Sequence, residues 1–259
     1  MRLMSMVVGF TAACWTFAAE TRADLLATRG GWELGLQVAT YEYDEPNFAL
    51  LEGERVGVSA AYTLLGQTRL HSRFEARYSY GELDYTGSGT LADVPDHLLE
   101  LRALVGGDYR TGRVAWVPYV GMGLRYLYND LRGTSSTGAI GYLRKSRYWY
   151  VPLGITLRVP LGEGWVMAPQ IEYDAFVSGS QRSYLSDTGL GFSDVTNEQR
   201  HGRGARVQLA FEGPRWSVSL WSHYWDIEDS EPQPVGLGFV GLEPANKTRE
   251  TGVEVRYRF

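Results

Sequence analysis

Four histidines, His71, His97, His201 and His223, are where acid–base chemistry could start in this 259-residue chain. His223 is the best placed. Asp226, Glu228 and Asp229 follow it closely, and Asp174 lies on a segment that the residue pattern carries toward the same rim. An aspartate that orients a histidine can make it a general base for water. His71 precedes Ser72, but adjacent strand residues point to opposite faces, so these two cannot act as base and nucleophile. There is no His-Glu-x-x-His, phosphate loop or dinucleotide fingerprint. The pattern therefore assigns no catalytic residue, no cofactor and no metal ligand, and His223 reads as a packed or hydrogen-bonded interior residue.

A second constellation is larger. Arg73, Glu75, Arg77, Glu100, Arg102, Arg125, Arg158, Glu172, Asp174, Arg206, Glu254 and Arg256, together with Glu33, each alternate with apolar or aromatic neighbours, so the charges share one face. Side chains along a strand point alternately to its two faces. In 69–83, for example, Leu70, Phe74, Ala76, Tyr78 and Tyr80 oppose His71, Arg73, Glu75, Arg77 and Ser79. A charged face behind an oily one is the pattern of a membrane barrel, with lipid outside and a polar lumen within.

The elements that must position these charges are ten strands, over 32–43, 55–65, 69–83, 97–107, 113–129, 147–159, 165–177, 204–212, 215–225 and from 249 to the end. Their lengths are near the roughly 9–11 residues that cross a bilayer at a tilt. The fold class is thus all-β, a transmembrane antiparallel β-barrel of about ten strands. Connections 65–68, 107–112, 160–164 and 212–214 are short, whereas 44–54, 84–96, 130–145, 178–203 and 226–248 are long. Short turns on one side and long loops on the other are what such barrels show. Trp32, Trp116, Trp149, Trp165, Trp216 and Trp225 fall near strand ends, where interfacial girdles form. Pro118, Pro152 and Pro169 fall inside strands and are expected at bulges or rims, because proline donates nothing to the ladder.

The ends fit the same scheme. Residues 1–23 read as a signal peptide, with Arg2, an apolar stretch and Thr21-Arg22-Ala23 before the cleavage point. Lipidation at Cys14, the only cysteine, is the competing reading. Residues 24–259 form the barrel domain. The final strand sends Val253, Val255, Tyr257 and Phe259 to lipid, and Tyr257 with Phe259 resembles the tail by which barrel-assembly machinery recognises its clients. The cell outer membrane is the expected location, with its lipid and lipopolysaccharide as contacts. A net charge of -5 without a basic stripe argues against nucleic acid.

Tyr224 to Ser230, followed by Glu243 to Gly252, resembles a group of small proteobacterial outer-membrane barrels of unassigned function. The resemblance implies the architecture and the location and transfers no active site. Ten strands is also the number in the omptin proteases, whose Asp-x-His and paired Asp-x-Asp are absent from the corresponding rims here. The resulting expectation is an integral outer-membrane barrel with an occluded, charged lumen, acting structurally or through its surface loops. A narrow channel for small solutes and a rim-located hydrolase are the alternatives.

Overall fold

The computed structural model describes residues 25–259; the segment 1–23 read as a signal peptide, with its two processing readings at Ala23 and Cys14, lies outside them. The chain runs through β1 (Gly31–Glu45), β2 (Ala49–Leu65), β3 (Leu70–Gly87), β4 (Gly89–Gly107), β5 (Tyr109–Thr111), β6 (Val114–Asp130) and β7 (Leu143–Gly162). It continues through β8 (Trp165–Ser183), β9 (Val195–Gln199), β10 (Gly202–Glu212), β11 (Trp216–Ile227), β12 (Gln233–Gly236), β13 (Phe239–Gly241) and β14 (Asn246–Arg258). Ten of these, leaving aside β5, β9, β12 and β13, pair antiparallel in a closed ring, β10-β11-β14-β1-β2-β3-β4-β6-β7-β8, with β8 returning to β10. The first and last strands meet along Glu33↔Arg258 to Asp44↔Lys247. A closed ring satisfies the backbone from within and has no edge, the condition for strands in hydrocarbon.

The faces separate as alternation requires. Leu36 is 69% exposed and Val56 61%, whereas Glu100 and Arg206 are 2% and 4% exposed. Apolar side chains on the exterior with charges inside invert a soluble fold and match a lipid-facing wall. Trp32, Trp116, Trp165 and Trp216 open the strands that rise from the short turns and form one exposed girdle there. Trp225 departs from the girdle expectation. It is 1% exposed and faces inward, packing edge-on to Tyr150 at 5.0 Å, because it shares the inner face with Trp221 and His223.

The outer connections need a correction. The first two are tight, since β1 and β2 pair up to Glu45↔Ala49 and β3 and β4 up to Gly87↔Gly89. Beyond the apolar belt the pattern inverts: the outer face carries polar residues such as Glu42, Glu52 and Glu54 while apolar and aromatic side chains turn inward, so the lipid-facing signal ends although the backbone ladder continues. There the interior is packed like a soluble core: Tyr41, Tyr43, Leu51, Leu83, Val94 and Leu131 cluster. Below them Leu98, Leu127, Tyr148, Tyr150, Trp225 and Ile227 form a second layer. Pro152 sits where the β6–β7 ladder skips two pairs, between Val120↔Leu153 and Gly123↔Tyr150.

Candidate functional site

The lumen charges come together in tiers. In the middle tier Arg206 on β10 donates from Nε to Asp174 Oδ2 at 2.8 Å and from Nη1 to Glu100 Oε2 at 3.0 Å. Its Nε also lies 2.9 Å from Glu172 Oε1. Tyr150 Oη donates to Glu100 Oε1 at 2.8 Å. Arg77 and Arg125 both hold Glu250, at 3.0 and 2.8 Å. Ten strands enclose a narrow interior, so these side chains span it. Each buried carboxylate here meets at least one guanidinium, the arrangement in which a buried charge is tolerable.

Nearer the short turns, Glu75 bridges Arg73 Nε at 2.7 Å and Arg102 Nη1 at 2.9 Å. Arg102 also pairs with Glu172, whose Oε2 accepts from Tyr119 Oη at 2.7 Å. Glu33 accepts from Arg73 at 2.6 Å and from Arg258 Nε at 2.8 Å. Arg256 stays with Glu254 at 2.7 Å. These groups surround a cavity of about 160 Å³. At its end residues 25–30 cross the opening. Leu26 packs on Ala115 and Val166, while Thr28 bonds Asp108 at 2.7 Å through its hydroxyl. Arg158 lies apart from the main tiers, donating to Thr28 Oγ1 at 3.0 Å with Asp108 3.9 Å away.

Small residues make room for the aromatic members. A Cβ on Gly123 would collide with the Tyr150 ring, and one on Gly154 with the Tyr119 ring. The rings lie flat across the glycines of the neighbouring strand, which sets the height of both hydroxyls.

Above the middle tier Arg55 pairs with Asp96, which also accepts from Asn129 Nδ2 at 3.1 Å. The Arg55 guanidinium stacks 3.3 Å over the Tyr41 ring. At the outer mouth Arg144 lies between two carboxylates. It pairs with Glu45 and donates to Glu243 Oε1 at 2.7 Å. Tyr43 Oη donates to the same two acids at 2.8 and 3.1 Å, and Gln181 Nε2 donates to the other Glu243 oxygen. Burial pushes the Glu243 carboxyl up to about 7 against the pull of Arg144, with the Glu45 charge adding to the rise.

The Asp174–His223 arrangement does not form. β10 lies between β8 and β11, and its Arg206 takes Asp174, while His223 Nδ1 has no hydrogen-bond partner among the described residues. The two are therefore not on neighbouring strands. His97 faces outward in an aromatic cluster, its Nδ1 2.7 Å from Tyr78 Oη. Asp226 pairs with Arg203 at 3.1 Å, and among the described residues no group of three or more His, Cys, Asp or Glu is placed to hold a metal ion.

Sequence reasoning passed over Arg55, Asp96 and Glu250, although continuing the two-residue period from Ser59, Glu100 and Glu254 reaches each of them. It had no signal for Glu45, Arg144 and Glu243, which fall in or beside stretches read as loops.

The barrel is similar to solved outer-membrane proteins. The outer membrane protease OmpT from Escherichia coli matches with a TM-score of 0.52 at 12% identity, over 88% of this chain and 95% of that one. The toluene transporter TbuX from Ralstonia pickettii gives 0.40 at 11% identity, over 91% of each chain. The β domain of the Bordetella autotransporter BrkA gives 0.40 at 14%, over 88% of this chain and 100% of that one. No protein-family model and no curated protein sequence matches the chain. The chain is a transmembrane antiparallel β-barrel of ten strands, a fold it shares with outer-membrane proteins.

Proposed function

We propose that this protein is an outer-membrane barrel whose lumen is closed to solute flow and whose working surface is its loop end. The observation that carries this reading is the middle tier, where Arg206 reaches from β10 to Glu100 on β4 across the interior. The two packed layers above it support the same conclusion. Delivery by the leader 1–23, assembly through Tyr257 and Phe259, and contact with lipopolysaccharide at the outer rim belong to this proposal. The exposed apolar belt supports the membrane setting that all three presuppose.

The narrow-channel reading draws on the cavity beneath the tier. Planar-bilayer recording separates the two. The wild type is expected to insert without conductance steps. Steady single-channel current from the wild type would replace the closed-lumen reading with the channel.

A further inference from the structure

We propose that the outer mouth binds a small amphipathic cation, an amine on an aromatic or branched apolar body, in the cavity between the loop 131–142 and the β13–β14 connection. This inference deepens the surface-interaction reading and rests on it for which end of the barrel meets the ligand.

The cavity is about 320 Å³, within the roughly 300–1,000 Å³ of small-molecule sites. Its walls are largely apolar: Phe48, Leu91, Leu131, Ile140 and Leu242 line it. Arg144, Glu45 and Glu243 line it as well. A mainly apolar pocket with a few converging polar groups is the general form of a ligand site.

The walls are held in place. Ser135 Oγ and Thr137 Oγ1 donate to Ser88 O at 2.7 and 2.9 Å, and Ser136 N donates to Thr90 O at 3.0 Å, fastening the loop to the β3–β4 tip. On the other side Glu243 N donates to Ser230 Oγ and Ser230 N to Glu243 O, both at 2.9 Å. A preformed pocket avoids the cost of ordering its own walls on binding.

Charge selects the class of ligand. One guanidinium serves two carboxylates, and all three residues are buried, so the polar group of the site carries one excess negative charge. A buried uncompensated charge is costly and is neutralised by a proton or by a cation. The remaining titratable groups that face Glu243 are the hydroxyls of Tyr43, Tyr142 and Tyr148, which bring no positive charge. The raised Glu243 carboxyl marks the proton as the present solution. An ammonium group takes its place, so binding below neutral pH releases a proton. An anion would meet the excess charge directly and is excluded.

The test uses the full barrel in detergent and three probes that share one ring: benzylamine, benzyl alcohol and benzoate. Calorimetry at about pH 8 is expected to show saturable benzylamine binding, at least about tenfold weaker binding of the alcohol, and none of benzoate. Glu243→Gln should weaken benzylamine by about tenfold and abolish the proton release seen at lower pH. Leu91→Trp, which fills the cavity without touching the charges, should abolish binding while the heat-modifiable gel shift stays intact. No saturable benzylamine binding, or benzoate binding as tightly, overturns the inference. Benzylamine binding by a barrel that also conducts sinks the closed-lumen reading alone; no binding by a silent barrel sinks this inference alone.

Discussion

Arg206 and Glu100 stand on opposite sides of the ring, with β8, β7 and β6 between their strands one way and β11, β14, β1, β2 and β3 the other, yet Nη1 lies 3.0 Å from Oε2. The pair bolts the barrel across its lumen. Arg206 is also the cation nearest Asp174, which is fully buried.

Arg206→Ala should therefore cost about 3–5 kcal/mol of unfolding free energy, the range for breaking a buried ion pair by removing one partner. Adding Asp174→Asn should recover part of the loss, because one stranded charge is then gone. Urea titration of the barrel folded in vesicles, read by tryptophan fluorescence, measures both. A single-variant loss no larger than a surface change, about 0.5 kcal/mol, would remove Arg206 from the centre of the network.

Gly123→Ala should displace the Tyr150 ring, which a new Cβ would meet head-on, and separate its hydroxyl from Glu100. The expected cost is about 1–3 kcal/mol, typical of overpacking. Tyr150→Phe at the wild-type glycine isolates the hydroxyl from the steric effect. Equal wild-type stability in both variants would contradict the packing of Tyr150 against Gly123.

The membrane-facing wall has its own test. Leu36, 69% exposed in the middle of β1, should cost about 2–4 kcal/mol when changed to Arg if it lies near the bilayer midplane. On a water-facing surface the same change would be nearly neutral, so folding into lipid vesicles distinguishes the two.

Glu243 makes the outer seal depend on pH. Its carboxyl is pushed up to about 7 from an ordinary value of 4.5, so between these values the folded state holds the extra proton. Stability falls wherever the folded state binds more protons and pH rises. The contribution is complete below about 4.5 and lost as pH passes through about 7, a change of roughly 1–3 kcal/mol. Glu243→Gln should flatten this part of the profile. Protease sensitivity of the 228–245 segment, compared between mildly acidic and alkaline buffer, checks it.

The last residue closes the girdle. Phe259 is 71% exposed, its ring 5.1 Å from Tyr257, which packs 4.8 Å from Trp216. Phe259→Ala should lower the yield of heat-modifiable, folded protein in cells much more than it lowers the stability of barrel already folded in vitro. Equal effects on both would argue against a role in assembly.

The strand number and the inner and outer faces were legible in the residues, because alternation is a local property that lipid and lumen enforce on every crossing. Trp225 was misplaced on a girdle although its own period with Trp221 pointed inward; nearness to a strand end had outweighed parity. The tight hairpins at Glu45↔Ala49 and Gly87↔Gly89 were hidden because backbone pairing continues past the apolar belt, where the outer face turns polar and the inner face apolar.

The residue order alone determined that Arg206, Glu100 and Asp174 face the same interior, since parity along each strand needs no knowledge of the other strands. Only the closed barrel decided that Arg206 takes Asp174 from between it and His223, and that Arg144, Glu45 and Glu243 converge at one mouth. Those meetings depend on strand register, tilt and the path of the loops. These relations join residues from 32 to more than 100 positions apart, and no local pattern carries them.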